Sequence, residues 1–519
     1  MRSFIALIIA TGMVLGASCQ ENVDNSKDGD QREYMNGLYR PQYHFSPEEK
    51  WMNDPNGMVF YEGEYHLFFQ HYPDALHWGP MHWGHASAED LFHWDHHEIA
   101  LYPDSLGYIF SGSAVVDKNN TTGFQEGEEP PLVAMFTHHN PDNGLQVQSL
   151  AYSTDGGTNW TKYEDNPVIK NPGIQDFRDP KVFWHEKTSK WIMVLAAGDH
   201  VRIYSSPNLK AWELESTFGK STGAHGGVWE CPDLFPLAVD GNQDNTKWVM
   251  LVSINPGAPN GGSGTQYFVG EFDGHTFTNE TRGTQWLDYG TDNYAGVTWS
   301  NTRDRKIFIG WMNNWMYADK LPTRGWRGSM TLPRELSLEM VYGSPRVISK
   351  PVQEINALKE QVAALEDKKL SGNPLNQEFV DIDLGESLLS LEMATQDAGD
   401  IILRLFNKEG QELVMGFRSQ EEDFYIDRRD AGVDTFHQAF PKIHEAPFAQ
   451  WPETLTLDIY LDRSSVELFV NGGERVMTNR IFNSKAYSKL EIYTTSGEAQ
   501  LKRLNVYELS SVWTEEQMN

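Results

Sequence analysis

NDPNGMVFYEGEYHLFFQ, residues 53–70, sets the pattern for most of the chain. A polar turn, Asn53-Asp54-Pro55-Asn56-Gly57, opens onto an apolar run, and after a gap a second apolar run follows. That is the signature of two short strands behind a tight turn. The unit returns four times at intervals of roughly 50–70 residues. Ser111-Gly112 leads into SAVVD and then LVAMF; Arg178-Asp179-Pro180 into KVFW and KWIMVLAA. Glu230-Cys231-Pro232 leads into DLFPL and KWVMLVSI, and Asp292-Asn293-Tyr294-Ala295 into GVTW and KIFIGWM. Between these lie hairpin-like stretches that end on an aromatic, HASAEDLFHW (Trp94), YSTDGGTNW (Trp160), YSSPNLKAW (Trp212) and EFDGHTF (Phe277). Two hairpins per unit make a four-stranded blade, and five blades in a ring make a propeller with its first strands nearest the axis. The predicted fold is all-β, a five-bladed β-propeller over 37–345.

Outward from the repeat, Val352, Ile355, Leu358, Val362 and Leu365 recur at spacings of three and four. This predicts an amphipathic helical connector over 346–368. Short strand-like runs from 369 to 519 read as a β-sandwich. At the other end, Arg2, the apolar run Phe4–Leu15 and the small residues Gly16-Ala17-Ser18 read as a signal peptide over 1–19. Cys19, directly after the small residues, is placed as in a lipoprotein box, and 20–36 reads as an acidic tether. Lipidation of Cys19 leaves Cys231 without a disulfide partner, and places the protein at the bacterial cell envelope with its membrane contact confined to the anchor.

With 42 Lys+Arg against 73 Asp+Glu, the net charge of −31 repels phosphate backbones and argues against nucleic acid as a partner. The 17 Trp and 21 Tyr are either core filler or platforms for a wet, flat ligand such as sugar.

The placement of acids within the repeat carries the function. Asp54, Asp179 and Glu230 occupy equivalent turns before the first strands of units one, three and four, so ring closure brings them to one mouth of the channel, with Arg178 as a nearby cation. Converging carboxylates repel and are costly to desolvate, so they are normally paired or used. A close pair of carboxyl groups is the arrangement of retaining glycosidases. The six histidines between His77 and His97 lack the spacing of a zinc helix, and no cofactor or metal is expected. Ser153 to Trp160 resembles the Asp-box, a hairpin-bracing device of propellers that speaks for fold and not activity.

Trp51-Met52-Asn53-Asp54-Pro55-Asn56-Gly57, Arg178-Asp179-Pro180 and Glu230-Cys231-Pro232 resemble the three signature motifs of glycoside hydrolase family 32, the β-fructosidases. Phe110-Ser111-Gly112-Ser113, Asp292 to Ala295, the GWMNNW stretch (310–315) and SSVELFVNGGERVMTNRIF (464–482) extend the resemblance over the whole mature chain. Asn293 departs from the family, where Phe is common, and this bears on substrate preference. The resemblance implies that Asp54 is the nucleophile, Glu230 the general acid/base and Asp179 the transition-state stabiliser. It places Asn53, Gln70, Trp78, Phe110, Ser111, Arg178 and Trp315 around the bound fructose, with Trp311 and Trp326 as neighbours competing for the last position. The implied activity is retaining hydrolysis of β-fructofuranosidic bonds in levan, inulin and sucrose, exo-acting and releasing fructose. The partner is then a fructose-containing oligo- or polysaccharide. Endo-levanase or endo-inulinase action, fructosyl transfer, and a non-catalytic glycan-binding lipoprotein are the alternatives. Linkage preference (β-2,1 or β-2,6) and oligomeric state stay open at this point.

Overall fold

A computed structural model describes residues 35–379, 382–448 and 452–518. The expected signal peptide, Cys19 and all of the expected tether but its last two residues lie outside the described residues. Of those two, Met35 is buried in the core rather than solvated.

The fold is all-β. Five strands form its inner layer: β1 (Lys50–Tyr61), β2 (Tyr108–Val116), β3 (Phe177–His185), β4 (Val228–Val239) and β5 (Tyr294–Thr298). From each, the chain steps outward through antiparallel neighbours. From β1 these are Glu64–Tyr72, His82–Ala88 and Asp95–Leu101, and from β3 they are Lys190–Ala197, Val201–Ser206 and Glu213–Phe218. The inner strands touch in a cycle, β1 to β2, β2 to β3, β3 to β4, β4 to β5 and β5 back to β1. A short late strand, Trp326–Arg327, pairs parallel with the start of β1, Lys50 opposite Trp326. Wide aromatic residues fill the wedges between sheets: Trp51, Trp83, Trp229, Trp299, Trp311 and Trp326 are fully buried. Most of the tryptophan whose placement composition left undecided is therefore packing, and truncating one such ring to Ala typically costs about 3–5 kcal/mol. The Asp-box braces its hairpin as expected: Gly157 N donates to Ser153 Oγ (2.9 Å), Asn159 N to Asp155 Oδ1 (2.9 Å) and Trp160 Nε1 to Gly157 O (2.9 Å).

The helix expected over 346–368 does not form. Ser344–Pro351 is a strand pairing with Arg334–Val341, and a single 3₁₀ turn, Gln353–Leu358, buries Ile355 and Leu358. The chain then runs as a strand, Lys359–Leu370, antiparallel to Gly497–Leu509. A bulge between Gln361 and Ala363 breaks the alternation, so that Val362, Ala363 and Leu365 all reach the sandwich core. A bulged strand entered from a 3₁₀ turn thus imitates helical spacing, and sheet pairing overrides local helix propensity. The sandwich consists of two six-stranded sheets with one apolar core between them.

The sandwich and the propeller meet over buried charge. His44 bridges Asp462 (2.7 Å) and Glu467 (2.8 Å), and Arg334 pairs with Glu467 and with Asp288 (2.9 Å). Asp292 accepts from Arg428 Nη1 (2.6 Å), Tyr317 OH (2.7 Å) and Arg480 N (2.8 Å). Burial pushes the carboxyl of Glu467 up, but Arg334, His44 and the Leu332 N–H outweigh it and hold it at about 2. Asp292 is likewise held below its ordinary value against burial, chiefly by Arg428.

Candidate active site

All five inner strands carry the same irregularity, and it falls on the motifs. In β1, Asn53 and Asp54 stand opposite the single residue Gln70, because the register jumps between the Met52–His71 and Pro55–Phe69 pairs. Phe110 and Ser111 in β2, Asp179 and Pro180 in β3, Cys231 and Pro232 in β4, and Ala295 and Gly296 in β5 also stand two against one. A β-bulge bends the strand and re-aims the side chains at the kink. It is also where a strand tolerates proline, which has no N–H to give the ladder. This explains Pro180 and Pro232, while Pro55 directly follows its bulge. Asp179 (φ +65°), Cys231 (φ +45°) and Ala295 (φ +55°) hold left-handed backbone at these kinks. Such backbone is costly and is kept where its surroundings enforce it.

The bulges open onto one cavity of about 270 Å³ that is lined by Asn53, Asp54, Gln70, Trp78, Phe110, Ser111, Arg178, Asp179, Glu230 and Trp315. Every site residue expected from the sequence is among them. Trp315 lines the cavity, while Trp311 lies behind it with ring centroids 4.9 Å apart and planes tilted by 55°, and is fully buried. Trp78, at 40% exposed, forms the rim, set edge-on against Phe110. Asn293 does not line the cavity; its amide turns to Asp288 at the sandwich contact (3.0 Å).

Each carboxylate is held differently. Asp54 accepts from two neutral donors, Asn53 Nδ2 (3.0 Å) and Ser111 Oγ (2.9 Å), and Asn53 is itself oriented by Trp51 Nε1 (2.8 Å). Glu230 Oε1 accepts from Arg178 Nε (3.0 Å) and Nη2 (2.7 Å), and Oε2 from the Tyr294 hydroxyl. Asp179 Oδ2 accepts from the Cys231 N–H (3.0 Å). The Cys231 sulfur lies 3.8 Å from Asp54 and 3.6 Å from Asp179, so two acids flank one thiol. Burial, with the charge of Glu230 added, pushes Asp54 up to about 6 against its two donors and Arg178. Burial raises Asp179 to about 7, with Arg178 opposing and Glu230 and Asp54 adding to the rise. Burial and the three acids push the Cys231 thiol well up, so it stays protonated and acts as a soft neighbour, not a nucleophile.

Sequence reasoning missed four residues. Tyr294, directly before the β5 bulge, was legible by equivalence, because it stands in unit five where Glu230 stands in unit four. Asp176 lies two residues before Arg178, and its carboxylate accepts from Arg178 Nη1 (2.6 Å). His139, stacked on Phe110 (4.5 Å, 6°), and Gln146 come from a hairpin rim with no repeat signal. The histidines of the His-rich stretch make varied local contacts: His85 meets His66 (3.1 Å), His97 meets Ser87 Oγ (2.8 Å), His82 meets Pro80 O (2.9 Å) and His93 pairs with Asp90 (2.7 Å).

Residues 44–351 match the glycosyl hydrolases family 32 N-terminal domain, and residues 354–508 match the family 32 C-terminal domain. The chain belongs to glycosyl hydrolases family 32. It is 48% identical over 497 residues to a levanase of Bacillus subtilis, covering 94% of this chain and 73% of that protein. It is 37% identical over 521 residues to an extracellular exo-inulinase of Aspergillus niger, covering 92% and 95%. Among solved structures, an exo-inulinase from Aspergillus awamori superposes with a TM-score of 0.86 at 37% identity, covering 93% of this chain and all of that one. A β-fructofuranosidase from Schwanniomyces occidentalis complexed with fructosyl-erythritol superposes with a TM-score of 0.84 at 36% identity, covering 93% and 99%. This family 32 chain is thus a glycoside hydrolase.

Proposed function

We infer that the chain hydrolyses β-fructofuranosidic bonds of fructans, levan and inulin, and of sucrose, by double displacement with retention. One observation carries the reading: three acids from distant motifs line a single cavity, one held by neutral donors and another by a cation and a phenol. An Asp54 oxygen attacks the anomeric carbon while Glu230 gives its proton to the departing oxygen; water deprotonated by Glu230 then cleaves the fructosyl ester. Asp54 suits attack because its donors are neutral and leave its charge unpaired. A phenol both donates and accepts, so Tyr294 can hold Glu230 in either protonation state through the cycle. Asp179, fixed by a backbone N–H, is placed to bind sugar hydroxyls and stabilise positive charge as the bond breaks. Asn53, Gln70, Trp78, Phe110, Ser111, Arg178 and Trp315 form the fructose pocket.

Exo action is supported by a cavity of about 270 Å³, which lies at the small end for ligand sites and suits one furanose better than a run of chain. The cycle of inner strands supports a five-bladed propeller, the nine-stranded sheet counting as two blades joined through the Val239–Leu338 pair. Export is in keeping with the extracellular relative. Lipid attachment at Cys19, after a signal peptide, would hold the enzyme at the envelope.

Incubation with levan, inulin and sucrose is expected to release fructose from the start; longer oligosaccharides appearing first overturn exo action, and no fructose overturns the activity. Glu230→Gln is expected to lower kcat/KM on fructans by about 10²–10⁴-fold and to spare kcat/KM on an activated aryl fructoside, whose leaving group needs no proton, although its ester then waits on water. Equal losses on both would remove Glu230 from the acid role.

A further inference from the structure

We propose that Asp176 is a specificity-determining residue on the leaving-group side of the site, where its carboxylate accepts hydroxyls of the sugar that departs. This rests on the β-fructosidase reading above and adds the part of the site beyond the cleaved bond.

The geometry runs through one guanidinium. Arg178 grips Glu230 with Nε and Nη2 and grips Asp176 with Nη1 (2.6 Å), so Asp176 stands one planar group beyond the residue that protonates the glycosidic oxygen. Asp54 is held from the other direction, by Asn53 of β1 and Ser111 of β2, and makes no contact with Asp176. A substrate with its anomeric carbon at Asp54 and its bridging oxygen at Glu230 therefore extends its second unit toward Asp176.

Exposure follows the same order. The Arg178 side chain is 13% exposed, Glu230 18% and Asp176 28%, so the line from Arg178 to Asp176 leads toward solvent, where the rest of a fructan chain must lie. Among the described residues Asp176 Oδ1 takes the arginine and Oδ2 takes no hydrogen bond, which leaves an anionic acceptor facing the cavity. Gln146 lines the same side, but its Oε1 already accepts from Phe177 N (2.7 Å) and Arg178 Nη1 (3.3 Å). Phe110 and His139, stacked face to face, supply an adjoining flat wall. An acceptor beside a flat ring suits a hydroxyl-bearing sugar and offers nothing to a leaving group without hydroxyls.

The test compares Asp176→Ala with the parent enzyme on short fructo-oligosaccharides and on methyl β-fructofuranoside, whose leaving group needs the Glu230 proton but carries no further hydroxyl. A hydrogen bond to a charged group corresponds to about a tenfold effect or more. The ratio of kcat/KM for oligosaccharide to kcat/KM for the methyl fructoside is expected to fall about tenfold. If Asp176 only positions Arg178, both substrates lose in parallel, the ratio stays constant and the proposal is overturned. Asp176→Asn, which keeps an acceptor for Arg178, is expected to shift the ratio in the same direction; an unchanged ratio in both variants settles against it. Failure of the parent enzyme on both substrates would sink the β-fructosidase reading instead.

Discussion

Two regions of this molecule gather acids away from water, and they do so with opposite electrostatic results. At the contact between sandwich and propeller, Asp288, Asp292, Asp462 and Glu467 meet Arg334, Arg428 and His44. There the carboxyls of Asp292 and Glu467 are held below their ordinary values. In the cavity, Asp54, Asp176, Asp179 and Glu230 share Arg178 as the one arginine or lysine of its lining, and Asp54 and Asp179 are pushed up. Burial alone raises a carboxyl in both places; what differs is the supply of cations. Matched charge makes a structural clamp, whereas unmatched charge is a cost to folding that persists where chemistry needs it.

The largest expected break in this contrast is chemical. Asp54→Asn removes the attacking oxygen and is expected to lower kcat on fructans by about 10⁴-fold or more, by analogy with loss of a single nucleophile; a loss of only a few-fold in a steady-state assay would take the nucleophile role from it. Next comes the clamp. Arg334→Met leaves Asp288 without its cation and Glu467 with His44 alone, and deleting one partner of a buried set costs about 3–5 kcal/mol. A Tm drop of many degrees is expected in calorimetry, and an unchanged Tm would mean the clamp is not stabilising.

A smaller effect lies in pH. Attack needs ionised Asp54, so kcat/KM should fall as pH drops through about 6 to 7, a limb belonging jointly to Asp54 and Asp179. A plateau down to pH 4 would contradict it.

The smallest effect sharpens the contrast through stability. Asp54 has a folded value near 6 against an ordinary 3.8, so between these pH values the folded state holds a proton the unfolded state lacks. Its charge therefore burdens the fold fully above about 6, and acidification relieves the burden. Asp54→Asn is then expected to stabilise the protein at pH 7 by up to about 3 kcal/mol. Glu467 runs the other way: its contribution is present above its ordinary 4.5 and is lost as pH falls toward about 2. A Tm at pH 7 that falls in the Asp54 variant would refute the first half of this pair.

Much of the site was legible because the repeat writes its geometry into sequence. Each acid lies in or directly before a bulge, with a proline one or two residues on, and equivalent bulges face the same axis, so Asp54, Asp179 and Glu230 could be placed together from their turns. Asp176, His139 and Gln146 were not legible, because the first lies upstream of its motif and the others on a hairpin rim outside the repeated turn. The connector was misread for a related reason: Val362 and Leu365 keep a helical spacing that a bulged strand also produces. Asn293 shows the reverse limit, since a motif position tells nothing of which face of the strand it takes, and its side chain serves the clamp.

The pairing of Lys50 with Trp326 has a consequence for biosynthesis. As the nascent polypeptide leaves the ribosome, the strand carrying Asp54 appears among the first, yet the segment that completes its inner edge emerges some 270 residues later. Contacts this distant in sequence are slow to form. The sheet that carries Asp54 is therefore completed late in synthesis, and a product truncated before Trp326 would carry all three motifs and still lack the strand that pairs with the free edge of β1.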